Sequence, residues 1–235
     1  MKSALYMNDS YIKEFEATVE EVKDDKFVIL DKTAFYPNGG GQPYDTGIMI
    51  CNNEEYPVVF VGKFSGKISH EVSKPGLNPG DKVQCKINWE RRYKHMRMHT
   101  AAHIIDAVFY QKENALCTGN QIGLEKTRID FSSETLTREK MEEYIKLSSE
   151  IAKKGIDLKI YTLPKDEAMK IPGIVKLAGA MPPDVQELRI VEIPNVDIQA
   201  DGGTQVKNTS EIGEIKFLQF ENRGKQNKRL YYTLE

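Results

Sequence analysis

Cysteine is scarce: Cys51, Cys85 and Cys117 are the only three among 235 residues, and none sits in a C-x-x-C pair. An odd, dispersed set excludes a disulfide framework and a zinc knot made of thiolates, and it fits a reducing compartment. No apolar run approaches the ~18 residues of a membrane-spanning helix, so no membrane partner is expected. The opening MKSALYMNDSYIKEFEATVEEV turns polar and acidic at once. It does not read as a secretory signal, and a cytoplasmic location is expected. Net positive charge is also lacking, since 33 Lys and Arg against 35 Asp and Glu leave −2. Any nucleic-acid contact must therefore come from local basic patches. The glycines form neither a Walker loop nor a dinucleotide fingerprint. There is no internal repeat and no low-complexity tract.

What is present is an ordinary globular composition, 40% hydrophobic and 29% charged, long enough for one large domain or two small ones. Up to about residue 88 the chain alternates short β-rich runs with turn residues. EFEATVEEV, KFVIL, IMIC, YPVVFVG, KISHEV and KVQCKI predict an all-β domain of barrel type over residues 1–88. His70, in one of these strands, is expected at the surface. Between strands lies TAFYPNGGGQPYDTG, residues 33–47. Three successive glycines crowded by aromatic and turn residues predict a structured loop rather than a linker.

After Trp89 the pattern changes. Residues 91–110, RRYKHMRMHTAAHIIDAVFY, have helical periodicity and carry His95, His99 and His103 four residues apart, on one helix face. H-x-x-x-H on a helix suits two ligands of one metal ion, and it equally suits a helix with surface histidines. Leu116 to Gly123, LCTGNQIG, makes a turn and enters a strand through Phe131, and an amphipathic helix runs from about Thr137 to Lys154, stopped by Gly155. The remainder alternates strands near 156–163, 185–193, 214–221 and 230–234 with a short helix at 165–169. Residues 89–235 thus read as an α+β domain with antiparallel strands.

Asp201-Gly202-Gly203-Thr204-Gln205 is a second candidate metal element, two oxygen donors flanking a glycine turn. With His99 and His103 it makes two imidazoles, a carboxylate and an amide, which suits a catalytic zinc with an open position. By itself it is also an ordinary glycine hairpin. Basic residues cluster at Arg91, Arg92, Lys94 and Arg97 and at Arg223, Lys225, Lys228 and Arg229, with Lys126 and Arg128 as additions. They read as phosphate contacts or as solvated charged faces.

Five segments together resemble the AlaX family, the free-standing relatives of the editing domain of alanyl-tRNA synthetase. They are Phe35-Tyr36-Pro37-Asn38-Gly39-Gly40-Gly41-Gln42-Pro43 with Asp45-Thr46-Gly47; Arg97-Met98-His99-Thr100-Ala101-Ala102-His103; and Thr118-Gly119-Asn120-Gln121-Ile122. The others are Ile171-Pro172-Gly173 with Val175-Lys176, and Gly202-Gly203-Thr204 with Val206-Lys207-Asn208-Thr209 and Glu211-Ile212-Gly213. The resemblance runs from about residue 13 to the end, in order.

The resemblance implies a medium-length member, with a glycine-motif β domain before a zinc-bearing editing domain and no room for aminoacylation. It implies hydrolysis, in trans, of the ester of tRNA(Ala) mischarged with serine or glycine. It further implies one zinc held by His99, His103, Asp201 and Gln205. His99, His103 and Gln121 are the catalytic candidates. Thr118, Gln121, Gly40, Gly41 and Arg97 are the substrate-binding candidates, the glycine loop limiting the size of the pocket. One departure stands out: the synthetase domain has Cys-x-x-x-His where this chain has Asp201 and Gln205, a harder and weaker donor pair. The alternatives are a tRNA-binding module whose active site is retired, and a metal-dependent hydrolase of small esters.

Overall fold

The computed structural model describes residues 3–172, 174 and 185–235. Gly173, Val175 and Lys176 of the fourth family segment lie outside the described residues. The chain forms two compact units, Met1–His95 and Met96–Glu235, and the division falls inside a helix.

The first unit opens with a 3-10 turn at Leu5–Met7 and then builds six strands: β1 Glu14–Lys23, β2 Phe27–Leu30, β3 Gly47–Cys51, β4 Glu54–Phe64, β5 Lys67–Val72 and β6 Lys82–Ile87. They close into the expected antiparallel barrel, in the order β1-β2-β5-β4-β3-β6. Closure leaves no strand edge unpaired. Alternate residues face inward, among them Ala17 and Val19, Tyr56 and Val58, and Val83, Cys85 and Ile87, and these fill the interior. The tight hairpins turn at Asp24–Asp25, Asn52–Asn53 and Ser65–Gly66, all with positive φ, residue types that tolerate this conformation. At Gly47 a Cβ would lie 2.1 Å from the Lys86 carbonyl. Only glycine lets β3 approach β6 so closely.

His70 corrects the surface expectation. It is fully buried, with Nδ1 2.9 Å from the Val28 carbonyl and Nε2 2.9 Å from Thr33 Oγ1. A carbonyl only accepts, so Nδ1 carries the proton and the neutral ring accepts the Thr33 hydroxyl at Nε2. Burial pushes its pKa down to about 4, against the pull of the Val28 hydrogen bond.

The glycine loop is structured, as its aromatic neighbours predict. Gly39 and Gln42 exchange backbone hydrogen bonds of 3.1 and 2.9 Å around Gly40 (φ +58°) and Gly41 (φ +82°). Tyr36 OH donates to the Gly39 carbonyl, and Asp45 Oδ2 accepts from Tyr36 N at 2.6 Å. Arg92 belongs to this assembly. Its guanidinium is fully buried and ion-paired with Asp45, and it donates to the carbonyls of Ser10 (2.8 Å) and Ala34 (2.5 Å). The reading of Arg92 as a phosphate contact or solvated charge is thereby corrected: each nitrogen of the guanidinium donates to a protein acceptor.

Helix α1, Trp89–Glu113, runs on into the second unit. There follow β7 Leu116–Gln121, β8 Thr127–Ser132, α2 Arg138–Ala152, β9 Lys159–Pro164, α3 Lys165–Ala168, β10 Glu187–Ile193, β11 Asp197–Ala200, a 3-10 turn at Thr209–Ile212, β12 Ile215–Asn222 and β13 Lys228–Leu234. Two antiparallel sheets result, β12-β13-β8-β7 and β11-β10-β9, and the α+β expectation is met. The turn expected at 116–123 is strand β7, which pairs with β8, the strand expected through Phe131, with a bulge between Cys117 and Gly119.

From Met96 to Phe109 only Arg97 and Asp106 escape burial. This part of α1 is a central helix, apolar around most of its circumference, and not one with surface histidines. Phe109 stacks on Phe131 (4.3 Å, 10°) and meets Tyr144 edge-on (5.3 Å, 84°), packing α1 against β8 and α2. At its end Glu113 accepts from Lys140 Nζ (2.7 Å), Thr135 Oγ1 (2.6 Å) and Tyr144 OH (2.8 Å). The Lys140 bond leads in drawing the Glu113 pKa down to about 2. Thr137 caps α2, as the sequence predicts.

In the basic C-terminal turn Arg223 and Lys225 are exposed, whereas Lys228 and Arg229 are held by the protein. Lys228 Nζ donates to Asn222 Oδ1 and to the Gly224 and Lys225 carbonyls, and Arg229 forms a two-pronged pair with Asp130 (2.6 and 3.0 Å). These two residues tie up the hairpin instead of offering charge to phosphate. Among the described residues no helix is long and apolar enough to cross a membrane.

Candidate metal centre

The site lies wholly in the second unit and is made by α1 and the segment that follows β11. His99 and His103 are one helical turn apart and both 5% exposed, with ring centroids 5.3 Å apart. Register brings the carboxylate to them. β10 pairs with β11 so that Ile190 faces Ala200, and the pairing ends as Asp201 N donates to the Arg189 carbonyl at 3.1 Å. The chain then turns: Asp201 Oδ2 accepts from Gly203 N at 2.9 Å, a local turn bond of the kind Asp favours. Past Gly202–Gly203, Thr204, Gln205 and Val206 are all buried. Val206 N donates to Thr100 Oγ1 at 3.1 Å, fastening this segment to α1.

The donor atoms of His99, His103 and Asp201 all lie within 4.8 Å of one another. His99 Nε2 is 3.6 Å from Asp201 Oδ1, and His103 Nε2 is 3.9 Å from Asp201 Oδ2. A tetrahedral zinc with ~2.1 Å bonds separates its donors by about 3.4 Å, so small side-chain shifts suffice for this set to hold one. Gln205 Nε2 stands 3.0 Å from Asp201 Oδ2 and 3.3 Å from His103 Nε2. The four residues singled out from the sequence as metal donors are therefore brought together.

The surroundings add three residues that sequence reasoning missed. Asp197 Oδ2 is 2.9 Å from His103 Nδ1, with both side chains buried. A carboxylate there keeps the proton on Nδ1 and leaves the Nε2 lone pair facing Asp201, the arrangement that orients a metal-binding histidine. Its sequence signal was available: Asp197 and Asp201 are four apart, and on an extended strand such positions share a face. Arg189 Nη1 donates to the Asp201 carbonyl at 2.8 Å and lies 3.7 Å from Oδ2. Only strand register discloses it. Thr100 Oγ1 lies 2.7 Å from Gln205 Oε1 and 3.0 Å from the Met96 carbonyl.

Electrostatics favour an anionic carboxylate beside a neutral imidazole. Burial pushes Asp201 up, but His99, His103 and Arg189 together outweigh it and draw the pKa down to about 2. His99 is pushed down to about 4, chiefly by burial, with Asp201 opposing. For His103 burial also acts downward, but the Asp197 hydrogen bond and the nearby carboxylates prevail and the shift is upward.

Of the remaining candidates, Thr118, Gln121 and Arg97 belong to the second unit. Thr118 and Gln121 are exposed on β7, and Thr118 Oγ1 donates to the Asp130 carbonyl at 3.2 Å. No hydrogen bond joins either residue to His99, His103 or Asp201. Arg97 donates to the Ile212 carbonyl (3.0 and 2.7 Å) and to the Glu235 carbonyl (3.4 Å). Gly40 and Gly41 are corner residues of the first unit's loop.

Comparison with known proteins agrees with this architecture. Residues 4–91 match the family described as tRNA synthetases class II (A). Residues 188–231 match the threonyl and alanyl tRNA synthetase second additional domain. Over its full length the chain is 50% identical to an alanyl-tRNA editing protein AlaX-M of Saccharolobus solfataricus, covering 100% of that protein. It is 47% identical to the protein of the same name from Methanosarcina barkeri, covering 99% of it. Against an alanine–tRNA ligase of Pyrococcus abyssi, 92% of the chain aligns at 37% identity but spans only 24% of the ligase. This chain therefore belongs to the AlaX-M family of alanyl-tRNA editing proteins.

Proposed function

We propose that the protein is a trans-editing hydrolase of the cytoplasm. It removes serine, and also glycine, from mischarged tRNA(Ala) at a zinc held by His99, His103, Asp201 and Gln205. The observation that carries this reading is the convergence of His99, His103 and Asp201 in a chain that aligns end to end with proteins named for alanyl-tRNA editing.

Zinc in such a site supplies Lewis acidity for attack of water on the ester carbonyl. The protein's own residues prepare the ground. Asp197 holds the His103 proton at Nδ1, so that Nε2 stays a donor of electrons. Asp201 stays ionised beside His99, and Arg189 ties down its backbone. Thr118 and Gln121 read the amino-acid side chain. A hydrogen bond to the serine hydroxyl, which alanine cannot make, discriminates strongly.

The test is deacylation of Ser-tRNA(Ala) and Gly-tRNA(Ala), with Ala-tRNA(Ala) as control, before and after chelation and with metal content assayed in parallel. Loss of serine that stops on chelation and returns with zinc supports the reading. Activity that survives verified metal removal discards the metal's essential part. No hydrolysis by metal-replete protein favours a tRNA-binding module with a retired site.

A further inference from the structure

We propose that Thr100 is the positioning residue that lets Gln205 turn its amide through a half-turn. Oε1, in place of Nε2, then faces the His99–His103–Asp201 cluster and completes a four-donor site for a divalent cation. The inference rests on the cation reading of that cluster and adds a device to it.

In the structure Nε2 of Gln205 faces Asp201 Oδ2 (3.0 Å) and His103 Nε2 (3.3 Å). An NH2 group there points protons at the two lone pairs that would hold a cation, so amide nitrogen and cation exclude one another. Gln205 becomes a donor to a metal only through its oxygen. That oxygen is accepting from Thr100 Oγ1 at 2.7 Å, while the same hydroxyl accepts from Val206 N at 3.1 Å and has the Met96 carbonyl at 3.0 Å.

A hydroxyl has one proton and two lone pairs, and its proton can rotate. With the amide as it stands, Thr100 gives its proton to Gln205 Oε1 and accepts from Val206 N. With the amide turned, Thr100 gives its proton to the Met96 carbonyl and accepts from both Val206 N and Gln205 Nε2. In both arrangements Thr100 uses its proton and stays hydrogen-bonded to the Gln205 amide, and in the turned one the cation takes the place of Asp201 and His103 as the partner of the amide end that faces the cluster. A hydroxyl at position 100 is required for both. Valine, of the same shape, can serve neither.

The experiment is direct Zn2+ titration of the full chain, with Co2+ absorption as a second readout. Wild type is compared with Gln205→Leu, Thr100→Val, Thr100→Ser and the double variant Thr100→Val/Gln205→Leu, all checked for native circular dichroism. Gln205→Leu and Thr100→Val are each expected to weaken Zn2+ binding by about ten-fold or more. The Co2+ spectrum should change in the same two variants. Thr100→Ser should keep wild-type affinity. Thr100→Val should add nothing in the Gln205→Leu background, because it acts through the amide.

Unchanged or tighter binding by Gln205→Leu overturns the proposal, since removing an amide that only competes for Asp201 has that sign. Additive losses in the double variant overturn the part given to Thr100. If Thr100→Val does not fold, the Gln205→Leu and Thr100→Ser titrations still decide the matter. A wild-type protein that binds neither metal fails the cation reading itself and takes this inference with it, an outcome distinct from wild-type binding that Gln205→Leu leaves intact.

Discussion

Asp197 holds His103 from behind. The Asp197 Oδ2 to His103 Nδ1 contact is 2.9 Å, and both side chains are almost wholly shielded from solvent. One ring nitrogen is thereby committed to a carboxylate and the other is aimed at Asp201.

Asp197→Asn keeps the shape and removes the charge. Zn2+ affinity should fall roughly 10- to 100-fold, the usual effect of losing such an outer partner. Calorimetric titration of the folded variant checks this. Affinity equal to wild type would show that His103 is oriented by packing alone.

Removing both imidazoles is more drastic. His99→Ala with His103→Ala should abolish Ser-tRNA(Ala) deacylation and stoichiometric zinc together. Undiminished turnover in the double variant would sink the metal-based reading of function.

His70 makes the barrel acid-sensitive. Its folded pKa is about 4 against an ordinary 6.5. The unfolded chain therefore binds the extra proton first, and stability falls as pH drops. The contribution is fully present above pH 6.5 and is lost progressively down to about pH 4, amounting to roughly 3 kcal/mol. His99 shifts the same way, so the comparison must be with a variant. Urea unfolding of wild type and His70→Gln at pH 7, 5.5 and 4 should show a shallower loss in the variant. Parallel curves would refute the assignment.

The Arg92–Asp45 pair should be costly to break from one side. Arg92→Met leaves a buried carboxylate without its guanidinium and strips acceptors at Ser10 and Ala34 of their donor. A loss of about 3–5 kcal/mol is expected in urea unfolding. Replacing Asp45 as well, by Leu, should recover part of that, because the uncompensated carboxylate is gone. A loss below about 1 kcal/mol from Arg92→Met alone would mean that the pair contributes little.

Much of the fold was legible because it rests on short-range rules. Alternation marked the barrel strands, Asp24–Asp25, Asn52–Asn53 and Ser65–Gly66 marked their turns, and helical spacing marked α1 with His99 and His103 on one face. Oxygen donors flanking a glycine turn marked Asp201 and Gln205 as candidate partners, and the family resemblance joined them to the two histidines in one zinc site. Strand β7 was misread as a turn because Leu116–Gly123 carries two glycines and an asparagine among few β-rich residues.

Tertiary structure alone decided burial and partnership. Histidine and arginine are amphipathic, so sequence does not tell an exposed His70 from a buried one. Nor does it tell an Arg92 or Arg229 reaching for phosphate from one locked to Asp45 or Asp130. Asp197, Arg189 and Thr100 entered the site through strand register and through the packing of α1 beside the 201–206 segment, contacts between residues up to 106 positions apart. Local propensity carries no information about which distant group will satisfy a buried polar atom. The folded chain settles it, because in the interior each such atom must find a partner or lose its hydration uncompensated.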